Sequence, residues 1–214
     1  MCPYLEDVKI ERLHDHFERE NSMDLYDAIE KRRTIRVFKE GATDEQLRRI
    51  ILEGTKAPSA VNRQPWEFII VNDMAIVADL AEVKYRQTKD NPPQKAAGDP
   101  MAVEKLAQSQ KNSFENASIV VVCHLAEWER SVWMCIQNMS LAAVAEGLGS
   151  GIVLYWGEGQ KEVGRILNLP AEYEVTALLK IGVAQEEGYP RDKNPYMQRR
   201  QEFSWLHYDR FKNQ

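Results

Sequence analysis

Residues 57–68 read APSAVNRQPWEF, and they lead directly into a short apolar run at residues 68–71. The stretch combines prolines, which fix the backbone, with polar side chains that can donate and accept hydrogen bonds: Ser59, Asn62 and Gln64. A rigid loop of this composition could read the polar edge of a planar heterocycle. On its own it is better interpreted as a stiff helix-to-strand connection, with Trp66 filling the core behind it.

A basic cluster lies upstream of this loop, where residues 31–36 read KRRTIR. Closely spaced guanidinium groups repel one another unless an anion lies among them. The planar fork of arginine suits a phosphate, because it donates two hydrogen bonds at once. The alternative is a solvated basic turn paired with Glu30 and Glu40, and composition alone favours that alternative.

A glycine-rich segment, GLGSG at residues 147–151, precedes the apolar run 152–156. A dinucleotide-binding fingerprint needs a strand before its glycines and a helix after them. Here the order is reversed, since the apolar pattern of a helix precedes and a strand follows. The segment therefore predicts a helix C-cap with a tight turn and argues against a Rossmann site.

Hydrophobic spacing predicts a single sandwich of helices around one sheet, of the α+β or α/β class. The predicted strands are short apolar runs at residues 68–71, 119–125, 152–156 and 176–183. The predicted helices begin at Met23 and Thr43 and cover about 75–85, 101–116, 132–148 and 161–167. The helix at 132–148 is apolar nearly all round, which places it at the centre or at a subunit interface.

Residues 87–100 combine prolines, a glycine and charges, which predicts a mobile loop. An excursion of this kind inside a compact domain is often an active-site lid. We therefore predict a lid at about 85–116.

Composition excludes several classes of protein. A net charge of −5 and a pI near 5.5 argue against a nucleic-acid partner. Three cysteines are too few for a disulfide framework, and no run approaches the ~20 apolar residues of a membrane-spanning helix. The charged N-terminus does not resemble a signal peptide, so we expect a cytoplasmic protein without a membrane partner. His14 and His16 point apart on a helix, and we expect no metal site.

Taken together, the RRTIR cluster, the APSAxNxQPWxF pattern and the glycine-rich turn into a strand resemble the FMN-dependent nitroreductase family. The resemblance runs from about Asp24 to Pro195. It implies an α+β fold: a three-layer sandwich with a central mixed sheet flanked by helices, and a domain-swapped tail. The implied organisation is an N-terminal arm at 1–22, an FMN-binding domain at 23–195, and a tail at 196–214 that packs on the partner subunit.

The resemblance also assigns cofactor contacts. The phosphate, ribityl chain and pyrimidine edge of FMN would be held by Arg32, Arg33, Thr34 and Arg36. The flavin would be lined from the partner subunit by Pro58, Ser59 and Ala60, with Asn62 near the redox centre. Backbone N–H groups at about Leu154 and Tyr155 would face the isoalloxazine. The phosphate site would be completed by Arg191 and Lys193, with Arg199 and Arg200 as rivals.

The activity that the resemblance implies is ping-pong reduction of nitroaromatic, quinone or related acceptors by NADH or NADPH in a homodimer. Two alternatives within the family are reductive dehalogenation of aromatics and consumption of the flavin itself. For dehalogenation, the predicted lid offers candidate substrate contacts at Glu82, Tyr85, Lys105 and Lys111. Outside enzymology, the alternatives are a flavin store or sensor without turnover, and a structural dimer whose arginines only form salt bridges.

Overall fold

The computed structural model describes residues 23–94, 96–185, 199 and 205–211. Within these ranges, the helices are α1 (Leu25–Lys31), α2 (Asp44–Thr55), α3 (Met74–Asp90), α4 (Pro100–Asn112), α5 (Glu129–Ala145) and α6 (Gly157–Ile166). The strands are β1 (Phe38–Gly41), β2 (Trp66–Val71), β3 (Ser118–Leu125), β4 (Gly149–Val153) and β5 (Tyr173–Ala184). A 3-10 turn, Ala60–Asn62, lies between α2 and β2.

The strands form one sheet with β5 at its centre. β5 pairs with β1, β3 and β4, and β3 pairs in turn with β2. These pairings are all antiparallel, while a parallel bridge joins Thr34 to Ser150 at β4. Every residue of β5 from Val175 to Gly182 is buried, as expected for a strand covered on both faces.

Helices cover both faces of the sheet and produce two hydrophobic cores. On one face, α2 and α5 pack on the sheet through residues such as Ile50 and Met139. On the other face, α3 and α6 pack through residues such as Leu80 and Val163. The predicted three-layer α+β sandwich is thus confirmed.

The start of α2 follows directly from its sequence. The side-chain oxygen of Thr43 accepts a hydrogen bond from the backbone N–H of Gln46 at 3.2 Å, and the Gln46 side chain accepts one from the backbone N–H of Thr43 at 3.0 Å. This reciprocal capping box satisfies two N–H groups that a helix leaves unpaired. The predicted helix start at Thr43 is confirmed.

Several predicted boundaries were wrong. The helix predicted to end near 85 continues to Asp90, because the polar residues Gln87 and Thr88 are buried rather than solvated. β4 begins at Gly149, inside the segment that we predicted as a turn. β1 was not predicted, since its sequence FKEG has one buried residue and lacks an apolar run.

No helix in the described ranges is long and apolar enough to cross a membrane. The same residues contain no group of three or more His, Cys, Asp or Glu side chains arranged to hold a metal ion. The two histidines considered above, His14 and His16, lie outside the described residues.

We predict that Thr43→Ala lowers the free energy of unfolding by about 1 kcal/mol, because the substitution removes the N-cap oxygen. Urea denaturation followed by far-UV circular dichroism measures the change. The control is Arg48→Ala on the exposed face of α2, which should stay within about 0.5 kcal/mol of the wild type. Equal losses in both variants would contradict the assigned role of the cap.

Candidate cofactor site at the edge of the sheet

The basic cluster lies along the outer edge of β4. Arg32 is the C-cap of α1, and the chain then extends so that the backbone N–H of Ile35 donates to the Ser150 carbonyl at 2.9 Å. Arg32 is half-buried, whereas Thr34 and Arg36 are exposed on either side of the buried Ile35. The edge pairing therefore fixes the cluster against the sheet and leaves Thr34 and Arg36 facing outward.

Arg33 has a local structural role in this arrangement. Its guanidinium donates to the carbonyl of Glu30 and to its neighbour, the Arg32 carbonyl, at 3.0 Å. These are carbonyls at the end of α1, where cationic groups are stabilising. The donors of Arg33, one of the predicted phosphate ligands, thus serve the end of α1.

The glycines of β4 are required by the close approach of the basic cluster. A Cβ on Gly149 would collide with the Ile35 side chain, and a Cβ on Gly151 would collide with the Ile35 carbonyl. Gly147, at φ +76, instead forms the turn that ends α5. The glycine-rich segment therefore has two structural roles. It ends α5, as predicted, and it forms a contact surface for residues 33–36, which was not predicted.

The loop before β2 is held in an unusual backbone conformation. Val61, Asn62 and Gln64 all have positive φ, at 49°, 54° and 49°. The left-handed region of backbone conformation is unfavourable for a β-branched residue such as Val61. Val61 is also 87% exposed. A hydrogen bond from the Gln64 N–H to the Ser59 hydroxyl at 2.9 Å closes the loop. Residues 60–64 are exposed.

Within one chain, this loop and the basic cluster lie at opposite ends of α5. The Ala60 N–H donates to the Ser131 hydroxyl at 3.4 Å, in the first turn of α5. The bridge from Thr34 reaches Ser150, just beyond the last turn of that helix. A 17-residue helix spans about 25 Å. Within one chain the structure thus separates two sets of predicted flavin contacts, which the resemblance assigns to different subunits.

Helix α3 holds the segment that follows β4. The Leu154 carbonyl accepts hydrogen bonds from Lys84 Nζ at 3.0 Å and from Gln87 Nε2 at 3.2 Å. The Gln87 amide oxygen accepts from the Trp156 backbone N–H at 3.1 Å.

The Tyr155 hydroxyl donates to the Leu80 carbonyl at 2.9 Å, and burial raises the pKa of this phenol. The predicted contact residues Leu154 and Tyr155 are therefore fixed in place, with Leu154 facing outward and Tyr155 inward.

A buried lysine on β5 was missed by the sequence interpretation. Lys180 is 3% exposed, and its Nζ lies 2.5 Å from the Ser113 hydroxyl at the end of α4. Burial, and then the positive charges of Arg36 and Lys84, lower the pKa of Lys180 to about 7. The signal was present in the sequence, because Lys180 interrupts the apolar run of a strand buried on both faces.

The outer face of α3 and helix α4 share a charged cluster, which we term the lid cluster. It contains the ion pair between Lys111 and Glu82 at 2.6 Å, and Glu104, which binds the Tyr85 hydroxyl at 2.6 Å and Lys89 at 2.8 Å. Hydrogen bonds from Lys89 and Tyr85 lower the pKa of the Glu104 carboxyl. The structure thus brings together three of the four predicted lid contacts, Glu82, Tyr85 and Lys111, whereas Lys105 is exposed and joins none of these pairs.

The remaining predicted phosphate ligands are at the C-terminal end. Arg191, Lys193 and Arg200 lie outside the described residues. Arg199 is described and exposed.

The cysteines offer no reactive thiol among the described residues. Cys123 and Cys135 are fully buried, and burial raises the pKa of each thiol to about 12. His124, next in the chain, binds the Thr176 hydroxyl at 2.8 Å. These groups belong to the interior rather than to a nucleophilic site.

The three-layer fold and its cationic sheet edge define a class of protein. Comparison with known proteins identifies that class. The sequence profile of the Nitroreductase family matches residues 29–183. The chain is 31% identical over 179 residues to iodotyrosine deiodinase from Thermotoga neapolitana, covering 80% of this chain and 91% of that protein. It is 28% identical over 190 residues to NADH dehydrogenase from Thermus thermophilus, covering 81% and 93%.

A solved structure gives the same answer at the level of coordinates. Oxidized iodotyrosine deiodinase bound to FMN and 3-iodo-L-tyrosine superposes with a TM-score of 0.66 at 25% identity, covering 88% of this chain and all of the other. The chain belongs to the nitroreductase family.

The close contact at β4 makes a direct prediction. Gly151→Ala should lower the free energy of unfolding by about 1–3 kcal/mol, because its methyl group would meet the Ile35 carbonyl. The control is Gly164→Ala in α6, where the nearest atom to the new methyl would be 3.9 Å away. That variant should gain roughly 0.5–1 kcal/mol from helix propensity. Thermal unfolding of both variants measures the difference, and a stable Gly151→Ala protein would contradict the packing described above.

Proposed function

We propose that this protein is a cytoplasmic, homodimeric FMN-dependent oxidoreductase that takes hydride from NADH or NADPH and passes electrons to a small aromatic or quinone-like acceptor. The observation that carries the proposal is the convergence of Arg36, Lys84 and Lys180 on the edge of β4. The described ion pairs include none of these three cations. Positive charge of this kind fits an anionic ligand.

The residues along this edge fit FMN in chemical type. Arg32 and Thr34 supply a guanidinium and a hydroxyl suited to a phosphate. Arg36 supplies a cation for the pyrimidine edge of the ring.

The separation of the two contact sets supports a site shared between subunits. Because Ala60 and Thr34 lie at opposite ends of α5, one chain is poorly arranged to surround a single flavin ring with both. A second copy would bring its own loop, with Pro58, Ser59, Ala60 and Asn62, to the basic cluster of the first. We propose that each FMN lies between two subunits in this way.

Exposed apolar side chains support a dimer face on the elements around α5. They are Leu25, Tyr26 and Ile29 on α1, Met134 on α5, and Ile152 and Leu154 at β4. Large exposed apolar surfaces are typical of protein interfaces. The tail also carries exposed aromatics, Trp205, Tyr208 and Phe211, and we propose that it packs on the partner.

FMN would supply the redox chemistry, since it accepts hydride from a nicotinamide and returns electrons to an acceptor. The protein would bind and orient it, and stabilise the negative charge of its reduced form. Protons for the acceptor would come from water.

Cofactor retention tests the proposal. Arg32→Ala should lose the yellow colour that the wild type keeps on purification, because the phosphate loses its arginine. Arg48→Ala, an exposed arginine on α2, is the matched control and should remain yellow. Absorption at the flavin bands gives the occupancy, and bleaching by NADH or NADPH with recovery on adding a quinone gives the turnover. A fully loaded Arg32→Ala protein would refute the phosphate assignment, and a yellow protein without turnover would indicate a flavin store or sensor.

Reductive dehalogenation is a second candidate, favoured by the lid cluster. Glu82, Tyr85 and Lys111 are adjacent, with the Lys111 ammonium 5.6 Å from the centre of the Tyr85 ring. A carboxylate, a phenol and an ammonium can hold the opposite charges of an amino acid backbone. The two comparisons with iodotyrosine deiodinase make a halogenated tyrosine the candidate acceptor.

The lid cluster separates the two candidate functions. If the acceptor is a halotyrosine, Lys111→Met should raise its KM at least tenfold, since the carboxylate of the substrate loses its cation, and should leave quinone reduction unchanged. Lys105→Met, also on α4 but outside the cluster, is the control. Steady-state kinetics with 3-iodo-L-tyrosine and a quinone measures both. The absence of iodide release by the wild type would exclude this candidate and leave the first intact.

A further inference from the structure

Two lysines near β4 are buried. Lys180 on β5 is 3% exposed and Lys84 on α3 is 9% exposed. The described ion pairs include neither of them. Their contacts are neutral: the Ser113 hydroxyl and Phe114 ring for Lys180, and the Leu154 carbonyl and Trp156 ring for Lys84.

This arrangement is unfavourable for a protein without a ligand. Lysine is almost never fully buried unless it is paired, because transferring an ammonium from water to the interior costs several kcal/mol. Hydroxyl and carbonyl oxygens satisfy its hydrogen bonds but do not compensate its charge. The Lys180 ammonium is further destabilised by the positive charges of Arg36 and Lys84.

The three cations belong to different elements that meet at β4. Lys180 pairs with Gly151 across the sheet, and a Cβ on that glycine would lie 3.3 Å from the Lys180 Cε. Lys84 reaches the Leu154 carbonyl, just beyond the end of the same strand. Arg36 follows the segment that pairs with Ser150. Positive charge from α3, β5 and the basic cluster is therefore concentrated along one strand.

We propose that Lys84 and Lys180 form a buried cation pair that stabilises the negative charge gained by FMN when it accepts hydride. This inference rests on the function proposed above. Hydride carries two electrons and one proton from NADH or NADPH to a neutral ring, which gains one negative charge as the oxidised nicotinamide leaves. The two lysines act on the cofactor through the electric field that their charges produce at β4. They are therefore positioning residues and do not react themselves.

The protonation of Lys180 should then respond to the charge of the ligand. The pKa of Lys180 is lowered to about 7, mainly by burial and then by the positive charges of Arg36 and Lys84. Among the described residues, Arg36 and Lys84 are the charged groups that lower its pKa, while the end of α4 contributes the neutral Ser113 and Phe114. A new negative charge nearby favours the ammonium form. We therefore expect the protein to take up a fraction of a proton near pH 7.5 when bound FMN is reduced.

The test compares Lys180→Met with Lys161→Met, an exposed lysine of α6, in the full-length protein purified with FMN. Methionine keeps much of the length and removes the charge. We expect Lys180→Met to bind oxidised FMN within threefold of the wild type and reduced FMN at least tenfold more weakly. For a two-electron couple, a tenfold change lowers the reduction potential by about 30 mV. Lys84→Met should shift the potential in the same direction.

Stability gives a second readout that needs no catalysis. In the apoprotein, Lys180→Met should increase the free energy of unfolding, whereas loss of a lysine with a purely structural role would decrease it. Because the pKa of Lys180 is lower in the folded protein than in the unfolded chain, the unfolded chain binds more protons between about pH 7 and pH 10. The wild type is therefore stabilised relative to the variant as pH rises through this range, and the gap between them narrows.

The outcomes distinguish this inference from the function beneath it. If the wild type retains no FMN, the proposed function fails. If FMN is retained but Lys180→Met leaves its potential unchanged, or weakens both redox forms equally, the cation pair is refuted and the proposed function stands. A destabilised Lys180→Met apoprotein would also refute it. Should that variant not fold, the potential of Lys84→Met decides the question.

Discussion

Pairing between the backbone of Ile35 and Ser150 brings the basic cluster to the sheet, and the other contacts at this edge depend on it. The pairing is possible because Gly149 and Gly151 carry no side chains where the chain crosses. A basic turn without this anchor would be solvated, and composition alone favours that interpretation. The glycines therefore convert a run of charges into a surface with a defined position.

Helix α3 contacts this edge on one face and carries part of the lid cluster on the other. Its inner face carries Leu80, Lys84 and Gln87, which fix the backbone after β4. Its outer face carries the Glu82 and Tyr85 side chains of the lid cluster. Residues three and four apart share one face of a helix, so the two sets alternate along a single rigid element. Substitutions on the outer face can consequently leave undisturbed the residues that fix the backbone after β4.

The sequence predicted those features that have a local cause. The Thr43 cap, the apolar strands and the three-layer order follow from hydrogen bonding and periodicity within short segments. β1 and the true start of β4 were missed because they are defined by partners distant in the chain. For the candidate site, the basic cluster and the loop were predicted from a motif. Lys84 and Gln87 were missed because polar residues on a helix are normally solvated, and only tertiary packing buries these two.

Burial also explains why lysines at this position would matter more than further arginines on the surface. Exposed charges such as Arg36 are screened by salt, with a Debye length of about 8 Å at physiological ionic strength. Ammonium groups enclosed by α3, α4 and the sheet are screened much less, so their field at β4 persists in the cell. The surface as a whole is not basic, because the chain carries a net charge of −5. An interior cation pair can thus favour negative charge at one strand without making the protein a general binder of anions.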